Sequence, residues 1–444
     1  MLRRRDLLRG LGATALVSPF LRAQNPPPAD FTLKIGPVSV ELAPKKIAKT
    51  VGYNGIAPGP LLRMKEGKTV SVDVYNNSSF PELVHWHGLH VASDVDGSME
   101  EGTPMVAPNG YKRYVFTPTP AGTRWYHTHT QARQDLKRAS YTGQFGFLYI
   151  EPASDPGRYD QEKFLALREW EPYLTTMEDE GLDVAYRLFS INDRSLGYGE
   201  PIRVKEGEHV LLRILNASAT VHRRIALAGH AFEVVALDGN AVATPKKVEA
   251  LELGPAERVD AVVEMNRPGV WILGATDDHD RQAGMGVVIE YAGRSGAPLW
   301  TAPSNERWNY TAFGAAPATQ PEAEEIVLTF EKKFAGKHTP DRWAINGKQF
   351  PKTDPIRVKR NNGYRLVFDN RSDEAHPVHL HRHTFELRSV EGRETSGVFK
   401  DVVVVPPKSR VETYLVANNP GPTLFHCHQQ IHMDYGFMAM MEYE

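Results

Sequence analysis

Ten histidines stand in four short runs, and the only cysteine of the chain lies inside the last run. The runs are His85-Trp86-His87, His127-Thr128-His129, the stretch from His376 through His379 to His381, and His426-Cys427-His428 with His432 close behind. Imidazole and thiolate nitrogen and sulfur are the ligands of borderline and soft transition metals. Residues i and i+2 of a strand share a face, so each His-x-His pair aims two rings at one place. Four such pairs supply eight imidazoles, enough for a cluster of several ions. Cys427, between His426 and His428, points to the opposite face. There it meets a separate ion, with His376 and His432 as the remaining ligands. Two histidines and one thiolate make the trigonal blue-copper arrangement. A lone His-x-His is more often a polar strand or a satisfied core pair. Structural zinc usually takes four closed ligands, often several cysteines. Four runs, with the sole cysteine inside one, favour copper.

The elements that must position these residues are short β-rich runs broken by Gly, Pro, Asn and Asp, as in "KTVSVDVYNN", "HVLLRILNAS" and "DVVVVPPKSRVETYLVANN". This spacing predicts β-sandwiches. One pattern occurs three times, starting at Arg63, Arg203 and Arg357: a basic strand start, a turn, an apolar strand ending near Asn, then the stretch that carries histidines in copies one and three. A Pro-Gly turn feeding a strand follows in each copy: "TPAGTRWYHTHT", "NRPGVWILGATD" and "NNPGPTLFHCHQQ". A repeat of this length is a domain. The chain is therefore read as all-β, with three consecutive cupredoxin-like Greek-key sandwiches over about 30–153, 160–292 and 322–444 and a linker over 293–321 rich in Ala, Pro and Gly. The middle copy has His222 followed by Arg223 and Arg224, and Leu273 and Ala275 where the others carry histidine pairs. The fold does without those histidines there, so they serve chemistry in domains one and three.

Composition narrows the rest. A net charge of −2 over 444 residues gives no reason to expect nucleic acid or an anionic membrane as partner. No apolar run reaches the roughly 20 residues of a membrane span. The N-terminus, with Arg4-Arg5-Asp6-Leu7-Leu8-Arg9, an apolar stretch and Ala23, is similar to a twin-arginine export signal over 1–23. Export to the periplasm or beyond is the expectation. An exported protein normally uses cysteine for disulfides; a single cysteine cannot form one within its own chain, which strengthens the metal reading.

The motifs "HWHG" (85–88), "WYHTH" (125–129), "HPVHLH" (376–381) and "HCHQQIH" (426–432) together resemble those of three-domain multicopper oxidases of the laccase type, over the whole mature chain. The resemblance implies four copper ions. A type 1 copper takes His376, Cys427 and His432. A type 2 copper takes His85 and His379. A type 3 pair takes His87, His127 and His428 on one ion and His129, His381 and His426 on the other. It also implies one-electron oxidation of a small reductant coupled to reduction of dioxygen to water, with His426-Cys427-His428 as a covalent bridge between centres. Asp96, in "HVASDVDG", matches the family's acidic residue near the cluster, in place of a plain turn role before Gly97. Phe437 stands ten residues after Cys427, where many relatives carry an axial Met; Met438 would take that role if the loop bulges at Gly436. Met433 stands where many bacterial relatives carry a Glu, with Asp434 as a stand-in. His90, His209, His222, His230, His279, His338 and His383 are read as surface or core residues. A phenolic or other organic reductant is favoured over a cuprous or other metal ion, because the chain has no Met-rich insertion in domain three. A non-enzymatic scaffold is disfavoured by the complete ligand set. The expected enzyme is a monomer.

Overall fold

The computed structural model describes residues 27–153, 157, 159–176, 181–317 and 322–444. The export-signal reading over 1–23, and the end of the linker at 318–321, lie outside the described residues.

Strands are the dominant regular structure of the described chain, and they form six sheets that face each other in pairs. Sheets of four and four strands form the first sandwich, six and five the second, seven and five the third. Alternation drives this. In Phe31–Ala43, Leu33, Ile35, Val38 and Val40 are buried while Thr32, Lys34, Ser39 and Glu41 face out, the period-2 pattern of a strand with one face in a core. Each sandwich repeats the same two parallel pairings. In one sheet Leu33 lies opposite Val74, Leu165 opposite Ile214 and Leu328 opposite Phe368. In the other sheet Leu62 lies opposite Leu148, Ile202 opposite Ile289 and Ile356 opposite Met441. A parallel partner cannot be reached by a tight turn, so each chain segment crosses between sheets, as a Greek key requires.

The Asn that ends the apolar strand in every repeat begins an Asn-x-Ser corner. Asn76, Asn216 and Asn370 each donate from Nδ2 to a distant carbonyl: Val106 at 2.8 Å, Leu253 at 2.9 Å and Val405 at 3.2 Å. Each also accepts on Oδ1 from the backbone N–H of Ser78, Ser218 or Ser372, at 2.9, 3.0 and 2.9 Å. These bonds satisfy backbone groups where the chain leaves the sheet. In copies one and three they fix the approach to the histidine strands His85–His87 and His376–Leu380. The linker is tied to the second sandwich: Leu299 donates to the Val270 carbonyl at 2.8 Å, and the buried Tyr310 hydroxyl donates to Glu257 at 2.7 Å. No described helix is long and apolar enough to cross a membrane.

Candidate metal centre

All ten histidines of the four runs, and Cys427, are at most 7% exposed. Two strand pairs bring eight of them together. In the first sandwich His85–His87 lies antiparallel to Gly122–His127, with His85 opposite His127. In the third, His376–Leu380 lies antiparallel to Thr423–Cys427, with His379 opposite His426. The two edges face each other, and rings meet across the gap: His85 on His381 at 4.0 Å between centroids, His87 on His379 at 3.8 Å, His127 near His428 at 5.2 Å and His129 near His426 at 5.1 Å. Ligand atoms of His129, His381 and His426 lie within 4.8 Å of one another, as do those of His85, His379 and His381, and those of His85, His87 and His127.

The outward nitrogens settle which atoms face inward. A carbonyl only accepts, so an imidazole bonded to one must donate from that nitrogen. His127 Nδ1 donates to the Thr128 carbonyl at 2.8 Å, His379 Nδ1 to that of Asp401 at 2.8 Å and His426 Nδ1 to that of Cys427 at 2.9 Å. His381 Nδ1 meets Asp96 Oδ2 at 2.9 Å, and His87 Nε2 meets Asp401 Oδ1 at 3.1 Å. This is how outer partners orient metal-binding imidazoles. What remains inside is bare: Nε2 of His85, His127, His379 and His428 and Nδ1 of His87 are buried without a hydrogen-bond partner. His381 Nε2 faces His426 Nε2 at 3.1 Å, each with its proton committed outward. Burial, followed by the neighbouring imidazoles, holds the rings of His87, His127, His379, His426 and His428 well below the ordinary histidine range, so they stay neutral. Neutral lone pairs converging in a dry cage repel one another unless a cation sits among them. The cage fits metal ions.

Cys427 points the other way, as strand alternation requires. Its Sγ lies 3.8 Å from His376 Nδ1 and 3.6 Å from His432 Nδ1. An ion about 2.3 Å from sulfur and about 2.0 Å from nitrogen, at angles near 120°, sets those separations at about 3.7 Å. The three side chains therefore fit one trigonal ion. Burial pushes the free thiol up; a bound cation reverses this by taking the thiolate directly. Ser372 Oγ holds His376 Nε2 at 2.7 Å, and Glu374 Oε2 lies 3.2 Å from His432 Nε2. Phe437 is fully buried with its ring 4.9 Å from that of His376. Met438 instead packs with Leu424 and Met433. Gly436, at φ +116°, makes the turn before the strand Met438–Tyr443, and a Cβ there would lie 2.6 Å from the Trp343 carbonyl.

Asp96 ends a short helix, Ser93–Asp96, before the left-handed Gly97. Its Oδ2 lies 3.0 Å from His85 Nδ1 and 2.9 Å from His381 Nδ1. Burial opposes its ionisation, but His85 and His381 outweigh burial and hold it well below the usual carboxylate range. Facing it is Glu101, buried, with Oε1 accepting the Leu424 N–H at 2.7 Å. Burial and the charge of Asp96 push Glu101 well up, so it keeps its proton. Sequence reasoning missed Glu101: nothing in "SMEEG" separates it from the adjacent Glu100. Asp434 points elsewhere, accepting the backbone N–H groups of Ala132 at 3.0 Å and Arg133 at 2.5 Å; burial raises it to about 7. Missed as well was Asp401. Its carboxylate takes Arg258 of the second sandwich in a two-pronged bond of 2.7 and 2.6 Å, and Arg124 of the first at 3.3 Å. The one available signal was a charged Lys400-Asp401 pair opening the apolar run Val402–Val405. Among the remaining histidines, His209 and His279 are exposed, while His230 and His383 are buried and bonded to tyrosine hydroxyls.

An imidazole cage between two sandwiches, linked through one tripeptide to a thiolate–imidazole site, defines a copper oxidoreductase that handles several electrons. Family models described as multicopper oxidase match residues 34–155, 173–292 and 317–444. The chain belongs to the multicopper oxidases. It is a copper-dependent, laccase-like oxidase that uses dioxygen as electron acceptor. It is 30% identical to "Multicopper oxidase MmcO" of Mycobacterium tuberculosis over 93% of this chain and 86% of that protein. It is 26% identical to "Laccase-2" of Fomitopsis schrenkii, over 87% and 84% of the two chains. A solved multi-copper oxidase from Pseudomonas thermotolerans superposes with a TM-score of 0.75 at 26% identity, covering 94% of this chain and all of that one.

Proposed function

We propose that the enzyme oxidises phenolic or related organic reductants at the Cys427 site and carries four copper ions, with the ligands divided as the family resemblance implies. When bound, the ions supply one-electron oxidation of the reductant and four-electron reduction of dioxygen to two waters. The protein supplies geometry, potential and protons. Cys427 is joined through single peptide units to His426 and His428, so the two centres share one backbone. Asp96 holds the Nδ1 protons of His85 and His381, and the Asp96–Glu101 pair carries one proton beside the cage.

The observation that carries the phenolic reading is the outer edge of His432. Its Nε2 faces Glu374, whose side chain is 34% exposed, and its ring packs at 4.1 Å against Trp343. The rings of His432 and Trp343 are themselves only 5% and 2% exposed, so a phenol docks at the Glu374 carboxylate outside them and passes its hydroxyl proton there. Burial raises Glu374, but His432 and Lys332 more than offset this and keep it ionised. The same chain supplies every ligand, which supports a monomer. The paired arginines at residues 4 and 5 support export to the periplasm or beyond.

The test compares steady-state oxidation of a dimethoxyphenol with that of Cu(I) on copper-loaded protein. The phenol has the higher kcat/KM; the reverse order refutes the reading in favour of a metal-ion oxidase. Glu374→Gln lowers kcat/KM for the phenol about tenfold, below the usual gain of about 10²–10⁴ from a general base because Lys332 already engages the carboxylate. A reductant that releases no proton loses much less, because it feels Glu374 only through the bond to His432.

Phe437 lies beside the same site, its ring 4.9 Å from that of His376, and would stand at the axial position of an ion bound there, where a phenyl ring cannot coordinate. Phe437→Met adds a thioether that stabilises Cu(II), so the reduction potential falls, on the order of 60 mV for each tenfold change in the one-electron equilibrium. Redox titration measures it; an unchanged potential removes Phe437 from the axial role.

A further inference from the structure

Four methionines line one cavity of about 270 Å³ against the outer wall of the cage. Met99 and Met105 stand at its mouth, 56% and 37% exposed; Met433 and Met438 form its base, 5% and 2% exposed. The base pair packs with Leu424, which is ordinary core behaviour. The mouth pair lies outside the hydrophobic clusters, on a loop held in place by Thr103, whose Oγ1 donates to the Ser93 carbonyl at 3.1 Å and accepts from Gly97 at 3.0 Å. The cavity reaches His129, whose Nε2 lies 3.4 Å from His426 Nε2 inside the cage. Thioether sulfur is soft and selects Cu(I). Hard divalent ions need several oxygen ligands. Here the only carboxylate in the wall is Glu100, already bonded to Ser98 at 2.8 Å; Arg133 and Arg138 also line it, and their charge costs a singly charged ion about half what it costs a dication at the same distance.

We propose that this cavity is a cuprous-ion site, separate from the histidine and Cys427 centres, and the port through which copper enters the cage. The inference is independent of which reductant the enzyme oxidises. Only metal–thioether bonds form and break there, and the ion keeps its oxidation state.

Ag(I), a redox-inert probe for Cu(I), tests it on the fully copper-loaded enzyme, with retained silver measured by mass spectrometry after desalting. The enzyme retains about one silver ion, displaced by anaerobic Cu(I) and indifferent to excess Mn(II). Met99→Leu with Met105→Leu, two exposed and volume-conserving changes, weakens silver binding at least tenfold while the blue absorbance of the Cys427 site stays as it was. The same double variant slows uptake of Cu(I) by the metal-free full chain, followed as copper content against time. Overturning results are no retained silver, equal retention by the double variant, or unaltered copper uptake. A double variant changed only in its KM for dioxygen makes the cavity a gas passage and overturns the site too.

Discussion

Cys427→Ser gives a colourless protein that oxidises no reductant. The blue colour requires a thiolate on Cu(II), and Cys427 is the only thiol in the chain. Serine keeps the size but loses the soft, readily ionised ligand, so His376 and His432 are left as two imidazoles with a neutral hydroxyl between them. The cage ligands are untouched: His426 and His428 sit on the opposite face of the same strand, and the backbone bonds of that strand, with Cys427 donating to the Phe437 carbonyl at 3.1 Å, do not involve the sulfur. The expected protein is folded, keeps the copper of the cage, shows no blue absorption and takes up no dioxygen with any reductant. Copper analysis, absorption spectra and oxygen uptake check this together. A serine variant that stays blue, or one that still turns over, rules out Cys427 as the electron-accepting ligand.

Arg258→Met empties the cage although Arg258 touches none of its histidines. Asp401 holds His87 through its carboxylate and His379 through its carbonyl. The carboxylate is fully buried, and Arg258 is its two-pronged partner. Removing one member of a buried ion pair leaves an uncompensated charge and costs about 3–5 kcal/mol. Asp401 must then take a proton or turn toward Arg124, and either movement releases His87 and His379. The variant melts several degrees lower, loses copper from the cage and stays blue, because the Cys427 site has no share in this network. Arg258→Lys recovers charge but not the fork, so it restores part of the loss. Copper content, colour and melting temperature measured on both variants decide the matter. Full copper retention by Arg258→Met sinks the proposed link between the middle sandwich and the cage.

That link marks the boundary between what the residues announce and what folding adds. Ligand chemistry was legible in the sequence because a strand has a period of two: His-x-His must converge, and a cysteine between two histidines must diverge. The three sandwiches were legible because an Asn-ended strand and a Pro-Gly turn recur in order. Other assignments came from contacts between residues far apart in sequence. Asp401 meets Arg258 across 143 positions and His87 across 314, and no local pattern encodes which buried acid meets which arginine. Glu101 and Glu100 are alike as letters; within the turn closed by Gly102 donating to the Met99 carbonyl at 3.1 Å, one is buried beside Asp96 and the other faces a cavity. The choice between Phe437 and Met438 rested on register. Met438 pairs with His426, which sends its side chain to the cage side of the sheet and leaves Phe437, one residue earlier, over His376. The four methionines were scattered letters at 99, 105, 433 and 438 until the first and third sandwiches closed on each other. Sequence alone determined which residues could bind copper. Tertiary structure decided which nitrogens face inward, which carboxylates orient them and which cavity reaches His129, because each of these depends on contacts between residues far apart in sequence.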